Sequence, residues 1–231
     1  RDNQYDSFID LLQDISNTSV NSKQLDILIK LDFFSEFGDI NYLLKQVECY
    51  DKFYGRKQFT ISKLQKEGED IELIKKYCQK QTEKTLKEFD YIGFLKVMTS
   101  SMAYSPVSIT ERMDYQKEYI GYISYINPNI SKRYYYVKDL SVTKSIVNIQ
   151  LYEIYSGKTQ KVKMWTTQYK KNPFDEGDIL YLKSVEKKHK KEPTGEINTK
   201  TGKKIYKDVP DKFEFWLKNF TIKNDAEEEL I

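Results

Sequence analysis

From Tyr5 to Glu48 the apolar positions recur every three or four residues: Phe8, Leu11, Leu12 and Ile15, then Leu25, Leu28 and Ile29, then Leu43, Leu44 and Val47. That spacing gathers each set on one helical face, so three short helices are expected. Asn17-Thr18-Ser19, Asn21-Ser22 and Gly38-Asp39 punctuate the run and supply side chains suited to helix N-caps. A fourth helix is predicted over residues 69–89, where Ile71, Ile74 and Cys78 form a stripe that Leu86 and Phe89 continue. Between the third and fourth helices, Tyr54 to Gly68 reads as a polar loop.

Past Pro106 the period changes. A last helical stretch, Ile109 to Tyr119, gives way to Gly121, to Asn127-Pro128 and then to strand-like sequence. Five strands are expected: Tyr134 to Thr143, Ile146 to Tyr155, Lys158 to Trp165, Asp178 to Lys188 and Lys212 to Lys223. Alternation assigns Val147, Ile149 and Leu151 to one core face, Val162 and Met164 to another, and Phe213, Phe215 and Leu217 to a third. Ser156-Gly157 suits a tight hairpin, a longer link surrounds Lys170-Lys171-Asn172-Pro173, and a basic excursion over residues 187–211 precedes the fifth strand. The pattern predicts an α+β chain in three parts: helices over 1–118, a five-stranded barrel over 119–224 and an acidic tail over 225–231. The strand order matches an OB-fold, while an SH3-like barrel or a split sandwich would give a similar count.

Charge sharpens this division. Residues 1–118 carry 17 Lys and Arg against 20 Asp and Glu, residues 119–224 carry 21 against 11, and residues 225–231 carry 0 against 4. A barrel at +10 repels itself unless an anionic partner is near, and a nucleic-acid backbone is the commonest such partner. A solvated lysine-rich surface is the alternative. The 19 Tyr and 12 Phe argue against disorder throughout. Neither Cys49 nor Cys78 belongs to a CxxC pair, which leaves no disulfide framework or zinc motif and fits a reducing cytoplasm. No apolar run approaches a membrane span, so no membrane partner is expected. The chain opens on Arg1 without an initiator Met, which reads as an excised piece of a longer protein.

Catalytic chemistry finds little support. The one histidine, His189, sits in Lys187-Lys188-His189-Lys190-Lys191, where neighbouring cations disfavour its charged form. No glycine-rich phosphate loop occurs, and no metal or cofactor is expected. The interleaving of cations and rings is more informative. Lys132-Arg133-Tyr134-Tyr135-Tyr136 leads the first strand, Lys161, Lys163 and Trp165 alternate away from Val162 and Met164, and Tyr152 follows the core-facing Leu151. Exposed rings stack on unpaired bases while lysines follow phosphates, so these residues, with Lys170 and Lys171, are the expected single-stranded DNA contacts. Lys187, Lys188, Lys190, Lys191, Lys203 and Lys204 are expected to form a mobile basic hairpin that acts as a clamp. Rings that plug the barrel, and a charged loop without a ligand, are the competing readings.

Two stretches resemble the bacterial C-family DNA polymerase III alpha subunit. The first is Phe8-Ile9-Asp10-Leu11-Leu12, Val20-Asn21-Ser22-Lys23-Gln24-Leu25, and Leu28-Ile29-Lys30-Leu31-Asp32-Phe33-Phe34-Ser35-Glu36-Phe37-Gly38, similar to the stretch beside the family's tandem helix-hairpin-helix region. The family's Gly-Ala is replaced here by Asp32 and Phe33, so the glycine hairpin is expected to be lost. The second is Lys117-Glu118-Tyr119-Ile120-Gly121-Tyr122-Ile123-Ser124, similar to a family landmark before a His-Pro pair, which appears here as Asn127-Pro128. The resemblance implies a helix-hairpin-helix-like region followed by an OB-fold domain, a role in DNA replication, and no catalytic site in this part, because the family's catalytic aspartates lie on an upstream palm. It also implies single-stranded DNA as partner, duplex DNA along the helices, and a sliding clamp. Gln58-Phe59-Thr60-Ile61-Ser62-Lys63-Leu64 is the candidate clamp peptide, against an ordinary loop. The alternative is a free-standing single-stranded-DNA-binding or phage replication accessory protein.

Overall fold

The computed structural model describes residues 5–223, which fall into two compact units divided between Val107 and Ser108. The expected tail at 225–231 lies outside the described residues. The chain is α+β, with one sheet in each unit.

The first unit opens with α1 (Phe8–Ile15), α2 (Ser22–Lys30) and α3 (Ile40–Phe53), where the apolar spacing put them. Asn21 closes a capping box with Gln24, and the Asp39 carboxylate accepts from the Asn41 and Val107 amides. The turn after α2 forms without a glycine. Asp32 takes φ +62°, its amide donates to the Ile29 carbonyl, and the Phe33 amide donates to that of Leu28. That is a Schellman cap with aspartate in the left-handed position, which Asp tolerates better than most residues.

The remainder of this unit departs from expectation. Tyr54 to Gly68 is not a loop: it contains β1 (Gln58–Thr60) and α4 (Ile61–Glu67). The fourth helix predicted over 69–89 is three elements, α5 (Ile71–Lys76), β2 (Cys78–Gln81) and β3 (Thr85–Phe89). The helix ends at Lys76, and Thr82 and Thr85, bonded to each other's backbone and side chains, turn β2 back into β3. Leu86 and Phe89 mimic a helical interval because Glu88, at φ +55°, breaks the strand's two-residue alternation. The sheet order is β1-β3-β2, all antiparallel. Phe53, Phe59, Phe89 and Phe94 pack beneath it with ring centroids 4.7–6.2 Å apart; Phe94 comes from α6 (Tyr91–Ser100), an element the apolar periodicity did not reveal.

The second unit begins ahead of the expected boundary at 119, because α7 (Ile109–Ile120) packs on the strands that follow it. Ser108 and Glu111 close a capping box at its start. The buried Gln116 side chain accepts from the Ser124 and Tyr125 amides and ties the descending chain to the helix. The strands are β4 (Tyr134–Val142), β5 (Ile146–Glu153), β6 (Thr159–Trp165), β7 (Ile179–Ile197) and β8 (Lys204–Lys223); α8 (Thr166–Tyr169) lies between β6 and β7. They close into a barrel in the order β4-β5-β6-β8-β7. Two seams are narrow: β4 meets β7 only over Tyr134–Tyr136, and β6 meets β8 through the single parallel pair Lys163 and Trp216. A bulge between Val137 and Asp139 bends β4 so that it can serve both neighbours.

The barrel wall is buried on both sides over part of its extent. Inside lie Val137, Val147, Ile149, Leu151, Val162, Met164, Leu180 and Leu217, with Phe174 fully buried against Tyr169 and Phe220. Outside, Ile109 and Met113 of α7 cover Tyr134, Tyr136, Tyr152 and Ile154. β7 and β8 then run on beyond the barrel as a paired ribbon, so the excursion expected to be mobile is regular strand.

Candidate nucleic-acid interface

The alternation that buries Val147, Ile149 and Leu151 turns Asn148 and Gln150 outward, and the alternation of Val162 and Met164 does the same for Lys161 and Lys163. Register sets these side chains in rows across the strands. Asp139 pairs with Gln150 and Gln150 with Lys161; Ser141 pairs with Asn148 and Asn148 with Lys163. Where β8 leaves the barrel, Phe213, Glu214 and Phe215 join them, and together these residues line a groove of about 390 Å³. Phe213 and Phe215 are 40% and 37% exposed, so the groove carries open ring surface beside two lysines and two side-chain amides.

Two carboxylates, Asp139 and Glu214, line the groove with the two lysines. The Lys163 Nζ lies 2.5 Å from Glu214 Oε1, and both side chains are largely shielded from solvent. Trp165 continues the outward row on β6, 44% exposed but outside the groove lining, with its ring centroid 4.6 Å from that of the buried Trp216.

The other expected contacts divide sharply. Tyr134, Tyr136 and Tyr152 are buried at 7%, 1% and 3% exposure and belong to the cluster beneath α7. They are framework rather than stacking platforms, a correction with a simple cause: alternation predicts which face a residue takes but not that a helix covers the outer face. Tyr136 donates to Asp114 at 2.7 Å and Tyr152 to the Tyr125 carbonyl at 2.8 Å, and burial pushes the Tyr152 hydroxyl pKa up. Tyr135, between them, turns toward the barrel interior, and burial pushes it up to about 12. Lys132 and Arg133 are exposed at the start of β4, where they meet Tyr155 and Tyr181, and neither lines the groove. Lys170 and Lys171 are exposed just after α8, also outside the groove lining.

The lysine cluster is less free than its sequence suggests. Lys188 lies 3.3 Å from Glu186, Lys190 lies 3.1 Å from Glu192, and Lys191 lies 3.9 Å from Asp208. A hydrogen bond from Lys218, with Lys188 beside it, holds the Glu186 carboxyl below the usual carboxylate range. Lys187 sits 3.8 Å over the Phe213 ring. Lys203 and Lys204 are exposed at the ribbon's far turn.

Sequence reasoning missed Asp139, Ser141, Asn148, Gln150, Glu214 and Trp216, and placed Phe213 and Phe215 in the core. For Asn148 and Gln150 the signal was present in the same alternation that identified their apolar neighbours. For β8 the alternation misled: residues 213–217 pair with β7 in unbroken register, so Phe213 and Phe215 share a face with the buried Leu217, but they lie on the ribbon past the barrel core and stay exposed.

The candidate clamp peptide is folded into the first unit. Phe59 pairs in the sheet, Leu64 lies on α4, and both are buried, so neither is presented to a partner in this conformation. Among the described residues no group of three or more His, Cys, Asp or Glu is placed to hold a metal ion, and no helix is long and apolar enough to cross a membrane. No family model matches the sequence, and no curated protein or solved structure gives a match.

Proposed function

We propose that the barrel unit binds single-stranded DNA through the groove across β4, β5, β6 and β8, and that the chain is a non-catalytic C-terminal part of a replicative DNA polymerase of the C family. On this reading the barrel is an OB-fold. Its closed order and the lone parallel seam between its third and fifth strands support that assignment, and OB-folds use the face of their second and third strands for oligonucleotides. The observation that carries the proposal is the groove itself: Lys161 for phosphates beside Lys163, which Glu214 holds, Phe213 and Phe215 for base faces, and Asn148 and Gln150 for base edges. Only unpaired bases offer their faces, so such a groove favours a single strand over a duplex. In the first unit the turn after α2 carries Asp32, a carboxylate that repels the phosphates of a duplex.

Both tryptophans lie in the barrel unit, so intrinsic fluorescence reports on this unit alone. Titration with an oligothymidylate should quench it. Phe215→Ala should lower affinity by about 1–3 kcal/mol without changing the salt dependence, because stacking releases no counterions. Saturable quenching absent at about 50 mM salt, or Phe215→Ala indistinguishable from wild type, would count against the proposal.

A further inference from the structure

A cavity of about 460 Å³ lies within the first unit. Four segments line it: the residues that lead into α1, the turn Ser35–Phe37, α3 and α6. Helical spacing turns Tyr42 and Gln46 of α3 toward it from one side, and Lys96, Thr99 and Ser100 of α6 from another. Most of its polar lining is already matched. Lys96 reaches the Asp10 carboxylate at 2.8 Å, and Ser7 donates to the same carboxylate at 2.7 Å. Tyr42 donates to the Thr99 carbonyl, while the Thr99 and Ser100 hydroxyls bond back along α6.

Three acceptors are left over. Gln46 is 4% exposed, yet its side-chain amide has no hydrogen-bond partner among the described residues, and the access it keeps is into the cavity. A buried amide is ordinarily paired, so this one points to a group that arrives from outside. Asp6 and Glu36 stand exposed at the rim, and neither is in an ion pair among the described residues. With Asp10 answered by Lys96, these two carboxylates leave the cavity negative. Phe37 and Tyr42 add half-buried rings to the lining.

We infer that this cavity receives the guanidinium of an arginine side chain from a partner protein. The leftover groups select that chemistry. A guanidinium is planar, donates through several N–H groups, accepts nothing, keeps its charge and stacks on aromatic rings. Its donors can be shared between a rim carboxylate and the Gln46 carbonyl on the floor, a division that a compact ammonium makes less well. An anionic ligand is repelled by the same rim. The charge of the helical part favours a basic partner too, since residues 1–118 carry 17 Lys and Arg against 20 Asp and Glu. The site is independent of what the barrel groove binds.

The test is a titration of the isotope-labelled full chain with N-acetyl-arginine amide, followed by amide correlation spectra, beside the matching lysine and citrulline compounds. The arginine compound should shift the Gln46 side-chain NH2 and the Phe37 and Tyr42 backbone amides, saturating with a Kd on the order of 1 mM. The lysine compound should bind about tenfold more weakly, and citrulline, which keeps the shape without the charge, should leave these signals in place. Gln46→Leu removes the floor carbonyl at similar volume. It should weaken arginine binding about tenfold without lowering the melting midpoint, because no hydrogen bond of the free protein is lost. Glu36→Gln, at an exposed position that leaves folding untouched, should weaken it about threefold. Absence of a saturable shift, equal binding of the citrulline or the lysine compound, or arginine affinity unchanged in either variant would overturn the guanidinium site.

Discussion

Replacing Tyr152 by Phe separates framework from interface. The ring is 3% exposed, packs in the cluster beneath α7, and donates its hydroxyl to the Tyr125 carbonyl at 2.8 Å. The surroundings are tight: Gly157 turns the chain at φ +72°, and a Cβ there would stand 3.2 Å from that hydroxyl and 3.0 Å from Ile126. Phe keeps the apolar ring, so no large cavity forms and the loss is that of one hydrogen bond with its acceptor left behind. Such a loss costs about 1–2 kcal/mol. For a unit of this size each kcal/mol moves the melting midpoint by about 4 °C, so a fall of roughly 4–8 °C is expected. Tryptophan fluorescence follows the melt, since Trp165 and Trp216 both belong to the barrel unit. Oligothymidylate affinity, measured well below the midpoint, should be unchanged. A variant that melts like wild type but binds single-stranded DNA tenfold more weakly would place Tyr152 in the interface and refute the burial argument.

Two further outcomes follow from the same geometry. Glu214→Gln should free Lys163 for a phosphate, which raises single-strand affinity and steepens the log–log salt slope by about 0.7, while stability changes by about 1 kcal/mol or less; an unchanged slope would show that Lys163 does not reach the backbone. Cys49 and Cys78 are buried free thiols, and burial pushes Cys49 up to about 11, so alkylation at pH 8 should be slow in native protein and rapid in denaturant; fast native labelling would mean that the first unit opens readily.

Much of the second unit was legible in the sequence, because half-buried strands write a two-residue period. The ends of β4, β5 and β6 fall close to where Val147, Val162 and Met164 put them. The first unit was legible only through α3. The run through Ile71, Cys78, Leu86 and Phe89 fits a helical stripe, yet its latter half is a hairpin, and only the Thr82–Thr85 turn and the positive φ at Glu88 explain why. At the candidate site, Lys161, Lys163 and Trp165 were found by alternation because they lie on an open sheet face. Tyr134, Tyr136 and Tyr152 were misassigned because burial by α7 is tertiary, and no local period records it. The lysine run at 187–191 is less free than it looked: Glu186 and Glu192, two positions from Lys188 and Lys190 on the same strand, were visible in the sequence, whereas Asp208 is brought to Lys191 by pairing across the ribbon.

The central claim is that the barrel groove prefers an unpaired strand, and the most direct measurement compares one labelled oligothymidylate with a duplex of equal length, by anisotropy, from about 50 to 200 mM salt. The account predicts tighter binding of the single strand at every salt concentration. Affinity for both ligands should fall linearly on log–log axes, and the preference for the single strand should persist at high salt, because the stacking on Phe213 and Phe215 is not screened. Equal affinity for the two ligands, or a preference that vanishes as salt rises, would mean that the surface recognises charge alone and would contradict the assignment.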